Sequence, residues 1–431
     1  MGSAHCIGLL TGTFARPARR RFVAMAALGV AAASTLIPAA TAGATGGAVT
    51  TLISVSRSGG GGNGASVPVA VTPDGRYVLF NSSASNLVAG DTNGNADVFV
   101  RNVVSGRTHR VDLGPNRRQA NASAVGTAIS ANGRYVVFTS TASNLTRRPD
   151  TNHVSDVFLR DRKTGRTRRV SIPNGGGQFA TASLGGVVSD DGRWVAFTHV
   201  VNVDVWHTDL RDRQRHTTHP IDSGPQADNQ PVGLSSDGRY ILMLFEDHHG
   251  TPFEYRLRDH LASREQKVPM PPNDVTVSGA VMTPDARYVA FSAFNANSTG
   301  DDALRWRRGT KASTLIHGNN ANRYDTAGIS SDGRYFVYSS DDPTLVAGDT
   351  NGRVDVFRDD LIGAGTIRAS LSASGTQLPK GGFEEAAGTE LQPIQGNLVT
   401  ADGSIAVFVT SSPAVPADTN TTEDVYIRGP L

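Results

Sequence analysis

The amino-acid sequence predicts an all-β fold, a seven-bladed β-propeller of four-stranded antiparallel blades in which an N-terminal strand closes the last blade. Three observations support this prediction. A nine-residue phrase, TPDGRYVLF in its first copy, occurs seven times. A second phrase, GDTNGNADVFVRN in its first copy, follows it in four repeats, and the last repeat ends one strand short. Spacing of about 45–60 residues between most copies is typical of one propeller blade per repeat.

The first phrase predicts a hairpin whose second strand is buried on both sides. Its Asp-Gly pair favours the left-handed turn that joins two antiparallel strands, and the preceding Ser or Thr can bond back to the turn backbone. The apolar run that follows has no polar side, as expected for a sheet packed between two others. The seven copies are Thr72–Phe80, Ser130–Phe138, Ser189–Phe197, Ser235–Met243, Thr283–Phe291, Ser330–Tyr338 and Thr400–Phe408.

The second phrase predicts the third strand, with its apolar core at Val98–Val100 in the first copy. A short turn and an alternating segment, residues 108–111, follow as the outer strand, and the next inner strand is expected at Gly126–Ile129. Each repeat therefore supplies four strands. Repeats three to five lack a clear second phrase, and their third strands are expected at Val203–Thr208, Phe253–Leu257 and Leu304–Arg307.

The seventh repeat is expected to be completed from the other end of the chain. Its inner, second and third strands are predicted at Ile394–Val399, Ile405–Thr410 and Val425–Arg428, and three residues remain after them. Thr50–Ser56 precedes the first inner strand and has no repeat of its own. We expect it to pair with Val425–Arg428 and close the ring, because closure removes the edges that an open array would expose.

Residues 1–44 have the anatomy of a secretory signal, so the propeller domain is expected to span residues 45–431. Four arginines precede the apolar run Val23–Ile37, and small residues up to Ala44 follow it. Arg19–Val23 is also similar to a twin-arginine signal. The apolar run is too short for a comfortable membrane span. We expect a protein exported to the periplasm, cell wall or exterior, with no transmembrane segment in the mature chain.

The balance of basic and acidic residues excludes some classes of binding partner. The chain has 41 basic and 39 acidic residues, and removal of the arginine-rich leader leaves it close to neutral. Nucleic acid and anionic lipid both demand a basic surface, so neither is expected as the main partner.

The one cysteine, Cys6, lies in the leader. The domain is therefore expected to contain no disulfide, and we expect it to be a monomer.

The phrases Ser-x-Asp-Gly-Arg-Tyr and Asp-Val-Phe-x-Arg-Asp resemble the repeat of TolB-like or WD40-like (PD40) propellers of bacterial exported proteins. The resemblance covers roughly residues 50–431. It implies the propeller fold but no single role, because one fold hosts many functions. TolB itself carries an extra N-terminal domain and a partner-binding box, so a Tol–Pal role is not expected here.

The Asp-Thr-Asn-x-x-x-Asp loop of the second phrase is the candidate metal site. Oxygen side chains at alternate positions of a tight loop can bind Ca²⁺, which takes about six to eight oxygen ligands. The alternative is an Asx-turn, in which these side chains bond the loop's own backbone, and recurrence in four blades favours that alternative. The candidate ligands are Asp91, Asn93, Asp97, Asp150, Asn152, Asp156, Asp349, Asn351, Asp355, Asp418, Asn420 and Asp424.

The sequence lacks the common catalytic motifs. It has no Gly-x-Ser-x-Gly elbow, and no Gly-Lys-Ser follows the Gly59–Gly64 run. We expect a non-catalytic binding or scaffold module without a cofactor, apart from the candidate calcium, whose ligand is an extracellular protein, peptide or wall glycan. The alternative is a glycan hydrolase or lyase that uses carboxylates at the propeller axis. The insertion Gly375–Gly396 is expected to form a rim loop, where binding residues often lie.

Overall fold

The computed structural model describes residues 47–148, 150–202, 205–221, 227–247, 253–271, 274–295, 300–318, 322–363, 365–382 and 396–431. These residues form seven antiparallel sheets, each containing strands that are consecutive in sequence except where the chain ends meet. One 3₁₀ turn, Pro115–Arg117, is the helical element of the described part. The predicted all-β, seven-bladed propeller of four-stranded blades is confirmed. The predicted signal, residues 1–44, lies outside the described residues.

The strands of blades 1 to 3 follow the first strand, β1 (Val49–Leu52). Blade 1 contains β2 (Ser66–Val71), β3 (Tyr77–Ser82), β4 (Asp97–Asn102) and β5 (Arg107–Arg110). Blade 2 contains β6 (Ala124–Ile129), β7 (Tyr135–Ser140), β8 (Asp156–Asp161) and β9 (Arg166–Arg169). Blade 3 contains β10 (Ser183–Val188), β11 (Trp194–Asn202), β12 (Val205–Asp212) and β13 (Thr217–Pro220).

Blades 4 to 6 repeat this arrangement, and the last two strands belong to blade 7. Blade 4 contains β14 (Ala227–Leu234), β15 (Tyr240–Asp247), β16 (Glu254–Asp259) and β17 (Arg264–Lys267). Blade 5 contains β18 (Asp274–Met282), β19 (Tyr288–Asn295), β20 (Asp301–Arg307) and β21 (Ser313–His317). Blade 6 contains β22 (Tyr324–Ile329), β23 (Tyr335–Ser340), β24 (Asp355–Asp360) and β25 (Thr366–Arg368), and blade 7 has β26 (Ala406–Thr410) and β27 (Asp424–Gly429).

The third strands of blades 3 to 5 differ in bounds from the prediction. In blade 3 the strand begins at Val205 and runs to Asp212, where the sequence predicts Val203–Thr208. The pairing of β11 and β12 continues out to Asn202 and Val205. Blades 3 to 5 have no Asp-Thr-Asn phrase between these two strands, and in blade 3 the ladder continues through the last described pair.

The turn of the first phrase has the left-handed geometry that the sequence predicts. Gly75 has a φ of +69°, and its N–H donates to the carbonyl of Thr72 at 2.8 Å. The Thr72 hydroxyl oxygen accepts from the N–H of Tyr77 at 2.9 Å. The same geometry recurs in the other blades, and in blade 5 Ala286 adopts it with a φ of +54°. The strand after the turn is buried on both faces, as predicted.

One contact between neighbouring blades recurs around the ring. The aromatic residue that follows the turn arginine packs on the turn glycine of the next blade. A Cβ on any of these glycines would overlap that ring. The pairs are Tyr77 with Gly133, Tyr135 with Gly192, Trp194 with Gly238, Tyr288 with Gly333 and Tyr335 with Gly403, and Ile405 meets Gly75 where blade 7 returns to blade 1.

The chain ends meet in blade 7, as predicted. Strand β1 pairs antiparallel with β27, which places Val49 opposite Gly429 and Leu52 opposite Tyr426. The predicted strand extends to Ser56, but the ladder ends at Leu52 because Ser54 turns to bond a loop aspartate and the next residue bridges to Gly61. The inner strand of blade 7 is a single bridge from Val399 to Ala406, and residues 394–395 lie outside the described residues.

Candidate functional site

The four Asp-Thr-Asn loops lie between the second and third strands of blades 1, 2, 6 and 7. In each loop the Asn amide donates to the last Asp, from Asn93 to Asp97 at 3.0 Å in blade 1 and from Asn351 to Asp355 at 2.9 Å in blade 6. The same amide donates to the segment that leads to the next blade, as from Asn93 to the carbonyl of Ala120 at 3.2 Å. The predicted ligands are therefore brought together in every loop.

An arginine from the outer strand lies between the two aspartates in three of these loops. Arg169 Nη2 is 3.2 Å from Asp150 Oδ1, and its Nε is 3.0 Å from Asp156 Oδ2. Blades 1 and 6 repeat this arrangement, in which Arg110 contacts Asp91 and Asp97, and Arg368 contacts Asp349 and Asp355. All three guanidinium groups are buried. They supply the charge that a metal ion would otherwise bring, so a cation would have to displace them.

The loop of blade 7 has no such arginine. Leu52 of β1 stands at the arginine's register position, and Asp418 instead accepts a hydrogen bond from the Tyr426 hydroxyl. The Ser54 hydroxyl donates to Asp424 at 2.5 Å. Burial raises the pKa of Asp424 to about 6, and the charge of Asp418 adds to the rise. The two carboxylates of this loop are thus neutralised less fully than those of the other three.

The loop of blade 1 differs by a second carboxyl group. In blade 2 the Ser171 hydroxyl donates to Asp156 at 2.7 Å, and blades 6 and 7 have a serine at the same position. In blade 1 this position is Asp112, whose Oδ1 accepts from the N–H of Val98 at 3.0 Å. Burial, followed by the charge of Asp112, raises the pKa of Asp97 to about 8. This carboxyl pair therefore retains a proton at neutral pH.

The loops also bond their own backbone, which is the arrangement of the Asx-turn alternative. Asp150 Oδ1 accepts from the N–H of Asn152 at 3.4 Å, and Asn351 Oδ1 accepts from the N–H of Arg353 at 3.0 Å. Within the described ranges, no three His, Cys, Asp or Glu side chains form a group that could hold a metal ion. Calcium stays a prediction, and blade 7 is the loop in which a test is most direct.

A shallow cleft of about 370 Å³ lies beside the loop of blade 1. One wall is the connection that follows β1, and the other wall is the Asp-Thr-Asn loop itself. Its hydroxyl, amide and guanidinium groups suit a ligand rich in hydrogen-bonding groups. The lining residues are Arg57, Ser58, Ser85, Asn86, Val88, Gly90, Asp91 and Thr92.

A second cleft, of about 290 Å³, lies between the outer parts of blades 5 and 6. Asp359 lines it, and the carboxylate of Asp359 is 2.5 Å from Nε2 of His317. The Tyr338 hydroxyl is 3.0 Å from the same nitrogen, and Tyr324 stacks on the imidazole ring. The sequence gives no sign of this cluster because its members come from four strands of two blades, and no spacing links them.

The innermost strands bring few ionisable residues towards the axis. Strands β2, β6 and β10 contain none. Asp228 of β14 accepts from the N–H of Trp206 at 2.8 Å, and Asp325 of β22 lies 4.0 Å from Nε of Arg323. Strand β18 begins with Asp274, so the inner strands described contain three aspartates, one each in blades 4, 5 and 6, and Asp228 and Asp325 already have partners.

No protein-family model matches the sequence, and no curated protein matches it. In fold the chain is similar to oligogalacturonate lyase from Vibrio parahaemolyticus, with a TM-score of 0.55 and 12% identity over 85% of this chain and 91% of that one. It is also similar to the β-propeller domain of the trilobed protease from Pyrococcus furiosus, with a TM-score of 0.52 and 11% identity over 85% of this chain and 94% of the other.

TolB from Acinetobacter baumannii matches with a TM-score of 0.39 and 13% identity, over 60% of this chain and 56% of the TolB chain. The match therefore spans little more than half of TolB. No helix among the described residues is long and apolar enough to cross a membrane. The chain is a seven-bladed β-propeller, similar in fold to other β-propellers of known structure.

Proposed function

We propose that this chain is an exported, non-catalytic β-propeller that serves as a binding or scaffold module for a protein, peptide or glycan. One observation carries the proposal: the first-phrase arginine in four blades, and the second-phrase loop aspartates in three, form ion pairs within the fold. The arginine of the first phrase pairs with the aspartate at the end of the third strand, as Arg193 pairs with Asp212 at 2.6 Å. Such pairs recur in blades 2, 4 and 6. In blades 1, 2 and 6 the loop aspartates of the second phrase form ion pairs with buried arginines of the outer strands.

A binding assay paired with an activity assay tests this proposal. The full chain is titrated against glycan and peptide arrays, and the same polysaccharides are incubated with it and analysed for new chain ends. We expect saturable binding to one ligand class and no change in polymer length. Chain shortening that grows with protein concentration would contradict a non-catalytic role.

Export is the second part of the proposal, and it rests on residues 1–44. Fractionation of the producing cell, followed by determination of the mature N-terminus by mass spectrometry, tests it. We expect a chain that starts near Ala44 and lies outside the cytoplasm. Replacement of Arg19 and Arg20 by Lys is expected to block export by a twin-arginine route, and normal export of that variant would exclude this route.

A glycan hydrolase or lyase is the second candidate, and the His317 cluster is the observation that favours it. An imidazole beside a carboxylate and a tyrosine hydroxyl, next to a cleft, is suited to proton transfer. The fold likeness to oligogalacturonate lyase is compatible with this candidate at the level of architecture only. If this candidate is right, His317→Ala abolishes turnover of a polysaccharide, whereas His216→Ala, at a turn of blade 3, leaves turnover unchanged.

A further inference from the structure

The positive charge of the chain is concentrated in blades 1 and 2. Residues 101–170 contain 14 Lys and Arg and 4 Asp, whereas the remainder of the chain contains 27 basic and 35 acidic residues. The near-neutral total of the whole chain conceals this asymmetry. A local excess of one sign creates a surface potential that attracts opposite charge, whatever the net charge of the molecule.

None of the four aspartates in this segment offsets the excess at the surface. Asp112, Asp150 and Asp156 are buried in the loops described above. Asp161 pairs with Arg134 at 2.8 Å and accepts from backbone N–H groups of its own turn. Residues 101–170 therefore expose no carboxylate, in the part of this segment that the structure describes (all but Pro149).

Eight cations of the same segment are exposed, and we refer to them as the basic surface. Three follow or begin the outer strand of blade 1, two lie in the loop of blade 2, and three lie in the outer hairpin of blade 2. None of the eight forms an ion pair with a described residue. They are Arg107, Arg117, Arg118, Arg147, Arg148, Lys163, Arg166 and Arg168.

The cations of the two blades lie close together. Partial burial lowers the pKa of His109 on β5, and the charges of Arg162, Arg107 and Arg117 lower it further. The connection after β5 rests on blade 2, where the side chains of Arg160 and Thr167 donate to the carbonyl of Leu113. The exposed cations at the outer edge of blade 1 thus lie near Arg162 in the outer hairpin of blade 2.

The chemistry of the surface selects among anionic partners. Seven of its eight cations are arginine, whose planar guanidinium forms two parallel hydrogen bonds with a carboxylate or with a phosphate. Proteins that bind single-stranded nucleic acids add aromatic side chains on which bases stack. Residues 101–170 expose no aromatic ring of Phe, Tyr or Trp, since Phe138 and Phe158 are buried and Tyr135 is half-buried.

We propose that the outer surface of blades 1 and 2 binds an acidic polysaccharide through the carboxylates of its uronate units. This inference deepens the proposed binding function and rests on it. The ligand lies along the convex edge of the propeller and uses neither the axis nor the His317 cluster. Since the contacts are between exposed charges, binding weakens as salt concentration rises.

Binding of the full chain to polygalacturonate, measured by calorimetry at two salt concentrations, tests the proposal. The test variant carries Arg107→Gln, Arg117→Gln, Arg166→Gln and Arg168→Gln. The control variant carries the same loss of charge at exposed sites of blades 4 to 6, Arg264→Gln, Arg307→Gln, Lys311→Gln and Arg353→Gln. We expect the test variant to bind about tenfold more weakly or worse and the control variant to bind like the parent. All substituted residues are exposed, and unchanged melting temperatures verify the fold.

Three results would overturn the proposal. Equal weakening in both variants would indicate a response to net charge alone. Tighter binding to duplex or single-stranded DNA, or to phosphatidylglycerol vesicles, than to polygalacturonate would assign the surface to another partner. Absence of binding to polygalacturonate at low salt would reject uronate polymers as the ligand class. The broader binding function has its own test, and it is contradicted only if the chain cleaves a polymer or binds nothing on the arrays.

Discussion

The glycine of each Asp-Gly turn meets two separate requirements. Its left-handed φ, +69° at Gly192, disfavours any residue with a side chain. Its missing Cβ also leaves room for the ring of Tyr135 from the preceding blade. The first requirement is local and readable from the sequence, whereas the second depends on a neighbour far along the chain.

A comparison of Gly192→Ala with Gly90→Ala separates the two requirements, because Gly90 has the left-handed φ but no neighbouring ring. Gly90 has a φ of +71° and open space where a Cβ would stand. We expect Gly90→Ala to cost about 1 kcal/mol from backbone strain. Gly192→Ala is expected to cost about 1–3 kcal/mol more, because the ring must move. Urea denaturation of both variants measures the difference, and equal losses would show that the inter-blade contact contributes nothing.

Asp112 makes the stability of blade 1 sensitive to pH. The pKa of Asp97 is raised to about 8 in the folded chain, against about 4 in an unfolded one. The folded state therefore binds more protons between these values, and stability falls as pH rises through that window. Asp112→Ser supplies the hydroxyl found in the other loops without a second charge. We expect the variant to be more stable than the parent at pH 8–9 by about 1–3 kcal/mol.

The reciprocal change is the control for this prediction. Ser171→Asp places the same carboxyl pair in blade 2, and we expect it to lower the melting temperature most at alkaline pH. Thermal melts between pH 5 and pH 9 measure both variants. Parallel pH profiles for parent and Asp112→Ser would refute the coupling of the two carboxyl groups.

At the scale of elements, the outer strand and the loop of the second phrase form one unit. Arg368 of β25 stands opposite Phe357 of β24 and reaches the loop aspartates Asp349 and Asp355. In blade 7 the corresponding pair is Leu52 opposite Tyr426, and the Tyr426 hydroxyl donates a hydrogen bond to the first loop aspartate, Asp418. The loop aspartates can therefore be bound in two ways, by an arginine of the outer strand or by a tyrosine hydroxyl of the third strand.

Arg368→Leu is expected to destabilise the protein by about 3–5 kcal/mol, because it leaves two buried carboxylates without their counter-charge. Adding Phe357→Tyr recreates the pair of blade 7, and we expect it to restore part of the loss. Denaturant unfolding gives the free energy of each variant. The exposed Arg353→Leu is the control, with an expected change within about 0.5 kcal/mol. Failure of the added hydroxyl to restore any stability would argue against equivalence of the two arrangements.

The calcium prediction is tested best in the loop of blade 7, where Leu52 leaves Asp418 and Asp424 without a guanidinium. If the loop binds calcium, millimolar Ca²⁺ raises the melting temperature at neutral pH, since a ligand that binds only the folded state stabilises it. Asp424→Asn abolishes this rise, and Asp355→Asn in the arginine-filled loop of blade 6 does not. A melting temperature unaffected by calcium and by a chelator rejects the prediction for this loop.

At the scale of the whole molecule, ring closure decides how much surface each blade buries. Leu52 and Ile53 of the N-terminal segment are buried in a cluster with Phe408 and Tyr426 of blade 7. The N–H of Ile53 donates to the carbonyl of Val425 at 2.7 Å. Without this segment the edge of β27 is exposed, and an exposed edge can pair with another chain.

Deletion of residues 45–57 is therefore expected to lower the melting temperature sharply, since burial of Leu52 and Ile53 alone contributes about 3–6 kcal/mol. It is also expected to promote self-association. Thermal melts and size-exclusion chromatography measure the two effects. Val49→Ala is the control. Val49 lies at the end of the same strand with its side chain about half exposed, so this variant should have the melting temperature of the parent. An unchanged melt of the deletion variant would show that β1 does not close the ring.

The sequence by itself determined the fold, the number of blades and the partner of the closing strand. Those features follow from local chemistry that recurs: a left-handed Asp-Gly turn, an apolar run with no polar side and a last repeat one strand short. Strand bounds in blades 3 to 5 were less accurate, because pairing with the neighbouring strand extends a hairpin beyond its apolar core.

Only the tertiary structure decided what the charged residues do. The sequence brought Asp150 and Asp156 together in one loop, but it did not show that Arg169 from the next strand lies between them. It likewise did not link His317 with Asp359, or reveal that the exposed charge of blades 1 and 2 is positive. Electrostatic partners are set by through-space distance and burial, and a linear pattern of residues specifies neither.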